Sequence, residues 1–270
     1  MLHLAFIWHM HQPYYKNLLT QEADLPWVRL HGVKDYLDML QILQGYPKIK
    51  QTFNVVPSLL EQVVDYTNRT VKEKYLELSY KPAAELSSDE KKFLLKNFFS
   101  INKDKVISLF PRYLELYSKN ASKKEFTTQD YLDLQVWFNL AWIDPLFRHK
   151  FPELRKLIAK ARFYTEEDKR AVLERQVYIL EDIIPAYNKF ALSGQIEISI
   201  NPYYHPILPL LCDTDSAKDA NPKTILPKIK FAYPQDAKGQ IEDAVTFYKS
   251  QFGTTPLGMW PSEESVSEQI

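Results

Sequence analysis

Apolar and polar positions alternate at the start of the chain. Leu2, Leu4, Phe6 and Trp8 fall on one side of an extended segment, and His3, Ala5, Ile7 and His9 on the other. This predicts a buried strand over residues 2–9, closed by the polar cluster His9-Met10-His11-Gln12-Pro13. A second strand is expected at 51–56, where Pro57 stops it and Leu59, Leu60, Val63 and Val64 open a helix. At 196–200 the alternation is strict, with three isoleucines on one face and Glu197 and Ser199 on the other. Further strands are expected at 228–233 and in the short apolar stretch ending at Trp260.

From about 60 to 192 the period becomes helical. Ser87-Ser88-Asp89-Glu90 has the spacing of a capping box ahead of Phe93, Leu94 and Phe98. The helix after Thr127-Thr128 carries Tyr131, Leu134, Phe138 and Trp142 on one face and Leu132, Val136, Leu140 and Ile143 on another. It should therefore be buried on most sides. A third segment, about 167–192, has the stripe Leu173, Val177, Leu180 and Ile184, with Pro185 expected to kink it and Gly194 to end it. After Asp236 a helix carries Ile241, Val245, Tyr248 and Phe252 and stops at Gly253. Strands with polar ends, separated by helices, predict an α/β barrel with a large helical insertion at about 60–192. In such a barrel Glu197 points into the lumen near the carboxyl end of its strand, where sites collect.

Composition narrows the possible functions. With 270 residues and 45% hydrophobic content, the chain can bury one large core or two smaller ones. Lysine plus arginine (34) equals aspartate plus glutamate (34), so no overall field draws in nucleic acid or an anionic membrane. A neutral polymer is the easier partner. The single cysteine, Cys212, excludes an intramolecular disulfide and a cysteine-clustered metal site, and is expected to be packed. The amino terminus lacks a signal-peptide pattern, and no run approaches the roughly 18 apolar residues of a membrane helix. A cytoplasmic location is therefore expected. No G-x-G-x-x-G or Walker pattern occurs, which removes dinucleotide and P-loop readings. Few glycines with many Lys, Glu and Tyr hint at a thermophilic source.

The chemistry concentrates in Gly258-Met259-Trp260-Pro261-Ser262-Glu263. A carboxylate aimed into a cleft can attack an anomeric carbon, and an indole face offers a platform for a pyranose ring. Adjacent acids such as Glu263 and Glu264 are otherwise common in solvated loops, and buried tryptophans usually serve packing. His11 is the best histidine candidate, since an imidazole beside a sugar hydroxyl can donate or accept a hydrogen bond. His9 shares its strand face, His205 is evenly balanced between loop and subsite, and Asn54 at the end of the second strand is a weaker hydroxyl binder. Trp8, Trp137 and Trp142 read as core. No cofactor and no metal are expected: His9 and His11 could begin a metal site, but no third ligand stands out.

Three motifs occur in order: His11-Gln12-Pro13; Gly194-Gln195-Ile196-Glu197-Ile198 continuing through Pro202-Tyr203-Tyr204-His205-Pro206; and Gly258-Met259-Trp260-Pro261-Ser262-Glu263. Together they resemble glycoside hydrolase family 57 over nearly the whole chain, and Gln135–Trp142 looks like that family's helical insertion. The resemblance implies an incomplete (β/α)7-type barrel, truncated here after about four strands. It also implies a retaining mechanism on α-glucans with Glu263 as nucleophile and His11, Glu197, Trp260, His205 and His9 around the substrate. The family's acid/base aspartate belongs to a fourth motif, expected beyond Ile270 in a missing carboxyl-terminal part. Amylase-like hydrolysis is the preferred reading. The alternatives are a glucan transferase or branching enzyme of the same family, a metal-dependent hydrolase like the polysaccharide deacetylases, and a carbohydrate-binding remnant.

Overall fold

Three parallel strands, β1 (Ile7–Met10), β2 (Gln51–Val55) and β3 (Ile196–Ile200), form a sheet in the order β1-β2-β3. They are seen in a computed structural model, which describes residues 2–270. Six helices matter below: α1 (Pro57–Thr67), α2 (Ser88–Asn97), α3 (Thr128–Trp142), α4 (Glu166–Glu181), α5 (Ile183–Leu192) and α6 (Pro234–Phe252). The chain divides into two units. One holds the segment up to Tyr14, Leu43–Val64 and Ile184–Ile270; the other holds Tyr15–Ile42 and Asp65–Ile183.

The sheet belongs to the first unit, and its register sorts the side chains. Trp8, Phe53 and Ile198 stand in one row and Met10, Val55 and Ile200 in another, so one face is apolar. The intervening rows, Ile7-Thr52-Glu197 and His9-Asn54-Ser199, project from the opposite face. The isoleucines of β3 are therefore buried while Glu197 is exposed and Ser199 half-buried. The Phe53 ring meets Tyr187 of α5 edge-on at 5.3 Å, and the Tyr187 hydroxyl donates to Met10 Sδ at 3.0 Å.

Three strand expectations are corrected. The first strand begins only at Ile7, and Leu2 and Leu4 are 93% and 75% exposed, because β1 is an edge strand and this alternating segment has no sheet to cover it. Trp8 likewise lies at the edge, its Nε1 donating to Gln51 Oε1 at 2.9 Å. Residues 228–233 form no strand. Pro227 and Pro234 bracket them, and their backbone pairs with short helical turns, Thr214 N with Phe231 O and Tyr233 N with Leu211 O. The stretch ending at Trp260 contributes a single parallel bridge, Met259 to Ile200, in place of a fourth strand. Cys212, expected to be packed, is half-buried.

In the second unit, α2 starts with the capping box read from Ser87 and Glu90, and α3 with one made by Thr127 and Asp130. Helix α3 is buried on nearly every side, Trp137 and Trp142 included, as its two apolar stripes predict. Its polar residues are paired: Asn139 Oδ1 accepts from Arg29, and Gln135 Nε2 donates to the carbonyls of Leu78 and Lys81. Arg29, fully buried, also pairs with Glu73 at 2.8 Å. The segment expected as one helix over 167–192 is two, α4 and α5, parted at Asp182. Among the described residues, no helix is long and apolar enough to cross a membrane.

Candidate active site

The polar face of the sheet carries a lateral chain of hydrogen bonds. Asn54 of β2 donates through Nδ2 to Ser199 Oγ of β3 at 3.0 Å, which turns its Oδ1 toward β1. There it meets His9 Nδ1 at 2.6 Å. With an amide oxygen as partner, Nδ1 holds the proton and Nε2 is left as the free ring nitrogen. Asn54 is fully buried, so its amide holds the imidazole from a fixed position.

His11 lies one residue beyond the end of β1. His205 reaches the same place by another path. After β3 the chain is pinned by Asn201, whose backbone N–H donates to Val55 O and whose Nδ2 donates to Trp260 O at 2.9 Å. It is pinned again by Tyr203, whose hydroxyl donates to Glu61 of α1 at 2.9 Å; the same carboxylate accepts from Tyr14. His205 then adopts a left-handed backbone, φ 58°. Its ring stacks on His11 with centroids 4.3 Å apart and stands 5.1 Å from His9. One ring nitrogen from each of the three histidines lies within 4.8 Å of those of the other two.

Burial lowers the His11 pKa to about 4, helped by the neighbouring imidazoles of His205 and His9. His205 is also lowered, by burial first and by His9, against the pull of Glu263. Near neutral pH both rings are uncharged, so each offers one donor and one acceptor to a hydroxyl.

Glu263 completes the group. Trp260 is tied to β3 by its backbone N–H on Ile200 O at 2.7 Å, Ser262 is buried, and Glu263 and Glu264 follow with φ 54° and 56°. Two successive left-handed residues other than glycine are held at a cost on the order of 1–3 kcal/mol each, a feature that clusters at functional sites. Glu263 Oε1 lies 3.8 Å from His205 Nδ1, with the glutamate side chain 68% exposed and the histidine 7%. The carboxylate thus faces solvent with an imidazole behind it. Trp260 is half-buried. Beside Glu264 opens a groove of about 1130 Å³, lined among others by Ile207, Pro209, Asp213 and Val266.

Glu197 is placed differently from expectation. It is the second residue of β3, in register with Thr52, and so sits toward the amino end of the strand. It shares the polar face with Ser199 but lies about 7 Å upstream of it at the usual strand rise. The other departure is the third histidine. The sequence offered no third partner for His9 and His11, whereas the fold supplies His205. The signal that could have found it is the polar strand end at Asn54 and Ser199, which links the first and second motifs laterally.

Fold and site define an α/β protein whose polar groups gather beyond the carboxyl ends of parallel strands, the place where α/β enzymes bind their ligands. The chain belongs to glycosyl hydrolase family 57, whose family model matches residues 5–270. The resemblance read from the three motifs is thereby borne out.

Among solved structures, the chain is similar to the α-amylase AmyC from Thermotoga maritima, at 15% identity and a TM-score of 0.43, covering 96% of this chain and 35% of that one. It is also similar to a family 57 branching enzyme from Thermococcus kodakaraensis, at 16% identity and a TM-score of 0.44, covering 96% and 32%. A family 57-type branching enzyme from Pyrococcus horikoshii gives 14% identity and a TM-score of 0.45, covering 96% and 34%. The chain therefore spans about a third of the length of these proteins. No curated protein matches it.

Proposed function

We propose that the chain carries the nucleophile of a retaining α-glucan hydrolase of the amylase type, working in the cytoplasm. In this reading the sheet is part of an incomplete (β/α)7-type barrel, and the helical segment at about 60–192 is an insertion in it. A Glu263 carboxylate oxygen attacks the anomeric carbon as the glycosidic oxygen departs with the bonding electrons, leaving a glycosyl ester. Water then attacks the same carbon and releases the carboxylate. Transfer, as in branching enzymes, differs only in that a sugar hydroxyl replaces that water.

His11 and His205, as neutral imidazoles, hydrogen-bond the hydroxyls of the sugar being attacked, and His9, oriented by Asn54, stands beside them. Trp260 offers a stacking face to a ring. Glu197 is assigned to substrate support further down the polar face. The groove beside Glu264 has room for several sugar units of an α-glucan chain. The observation that carries the reading is the solvent-facing Glu263 carboxylate 3.8 Å from His205, whose ring stacks on that of His11. Family membership supports it independently.

An activated leaving group departs without a proton, so the first step can be tested on these residues alone. Incubation with a slow-turnover α-glucosyl fluoride, followed by proteolysis and mass spectrometry, should give one glycosyl adduct on the peptide containing Glu263. The Glu263→Gln variant should give none. An unlabelled native chain, or an adduct that persists in the variant, would refute the assignment.

A further inference from the structure

We infer that His9, His11 and His205 form a binding site for a divalent transition metal ion, with zinc the ion their chemistry suits. The glucan reading neither requires this site nor supplies it. Three imidazoles converge from two separate strand ends, and one ring nitrogen from each lies within 4.8 Å of the other two. Imidazole is a preferred ligand for zinc, copper and nickel and a poor one for magnesium or calcium.

Zinc–nitrogen bonds of about 2.0–2.1 Å place tetrahedral ligands roughly 3.4 Å apart, so the rings close by at most about 1.4 Å through side-chain rotation. Glu263, with Oε1 3.8 Å from His205 Nδ1, stands where it can take a fourth position or hold a water there.

The second observation is the support behind His9. A histidine that binds a metal almost always gives its other ring N–H to a fixed acceptor, which selects the tautomer and aims the free nitrogen. His9 has this arrangement: Nδ1 on Asn54 Oδ1 at 2.6 Å, and Asn54 held in turn by Ser199 at 3.0 Å. Asn54 is fully buried and in register with both partners, so the support belongs to the sheet itself. A histidine serving only as packing or as a surface group has no use for an oriented Nε2.

The test uses the full chain without a histidine tag, stripped with chelator and dialysed, and titrated with Zn²⁺ by calorimetry and with Co²⁺ by visible absorption. One equivalent of Zn²⁺ is expected, along with cobalt d–d bands that one equivalent of Zn²⁺ abolishes. His9→Ala, His11→Ala and His205→Ala should each remove the bands, and exposed His149→Ala should leave them unchanged. Asn54→Ala removes no ligand and should weaken binding 10–100-fold, a change that a site without an oriented His9 would not show.

Circular dichroism in chelator verifies that each variant is folded, and His11→Gln replaces His11→Ala if the latter is not. Absence of tight binding by the native chain, or binding that survives loss of any one of the three histidines, overturns the inference. Labelling of Glu263 in the presence of chelator reads the glucan assignment alone, so the two proposals fail separately.

Discussion

At the scale of single residues, the second unit holds a carboxylate out of balance with its surroundings. Asp38 has its Oδ1 buried without a hydrogen-bond partner, and its pKa is raised to about 6, by burial first and then by the charges of Asp144 and Asp35. The unfolded value is about 3.9. Because the folded value is the higher one, the folded state holds the proton over the interval between them. The contribution of Asp38 to stability is therefore most favourable below pH 4 and is lost as pH rises through 6. Asp38→Asn removes the charge and relieves Asp144, which is itself raised mainly by burial. Relative to the native chain, the variant should gain stability as pH rises from about 4 to 6 and keep that gain at pH 7, as read from urea melts. A difference independent of pH would exclude this account.

The site residues show the same gap between chemistry and place. His11 and Glu263 were legible because each sits in a motif whose residue types and order carry the chemistry. His205 was legible as a motif residue near the substrate, but its stacking on His11 was not, since that depends on a left-handed backbone at position 205 and on the anchoring of Asn201 and Tyr203. None of this has a local sequence signature. Glu197 was read to the correct face but the wrong end of its strand, because alternation fixes facing and leaves the strand's stopping point open.

At the scale of elements, what was legible was local. Helix starts were read correctly at Ser87 and Thr127 because a cap is a short-range hydrogen-bond pattern. Thr127 Oγ1 accepts from the Asp130 backbone N–H and donates to the Asp130 carboxylate. Thr127→Ala should therefore cost about 1 kcal/mol of unfolding free energy, measurable as a lower urea midpoint at unchanged slope. Thr127→Ser, which keeps the oxygen, should cost less than half of that; equal losses would mean that the methyl group's packing, not the cap, is responsible.

Where elements were misread, tertiary context decided. The break at Asp182 moves the buried position from Ile184 to Ile183, so a stripe that looked continuous shifts by one residue. On α6 the buried line is Ala237, Ala244, Tyr248 and Phe252, with Ile241 and Val245 on its flanks. Small residues mark the close approach, and hydrophobicity alone does not reveal this. Residues 2–6 show that alternation predicts a strand only where a neighbour exists to pair with it.

At the scale of the whole molecule, the start of the chain is open to other copies. Phe6, Ile7 and Trp8 are 48%, 47% and 42% exposed along the outer edge of β1, continuing from the still more exposed Leu2 and Leu4. β1 has a neighbour on one side only, so it presents free backbone donors and acceptors beside a row of apolar side chains. Equal numbers of acidic and basic residues give no net repulsion to oppose contact between copies. The isolated chain should therefore self-associate with increasing concentration through this edge. Lysine on an edge strand is the usual deterrent, since its ammonium cannot be buried against a second strand without a partner. The double variant Leu4→Lys and Phe6→Lys should shift the sedimentation profile toward monomer while leaving the far-ultraviolet circular dichroism unchanged, because neither side chain is part of the core. The double variant Thr246→Lys and Ser250→Lys, at two exposed neutral positions of α6, adds the same two charges and serves as the charge-matched control. If that control disperses the protein equally well, net charge is the cause and the strand edge is not the contact; if only the edge variant does so, association runs through β1.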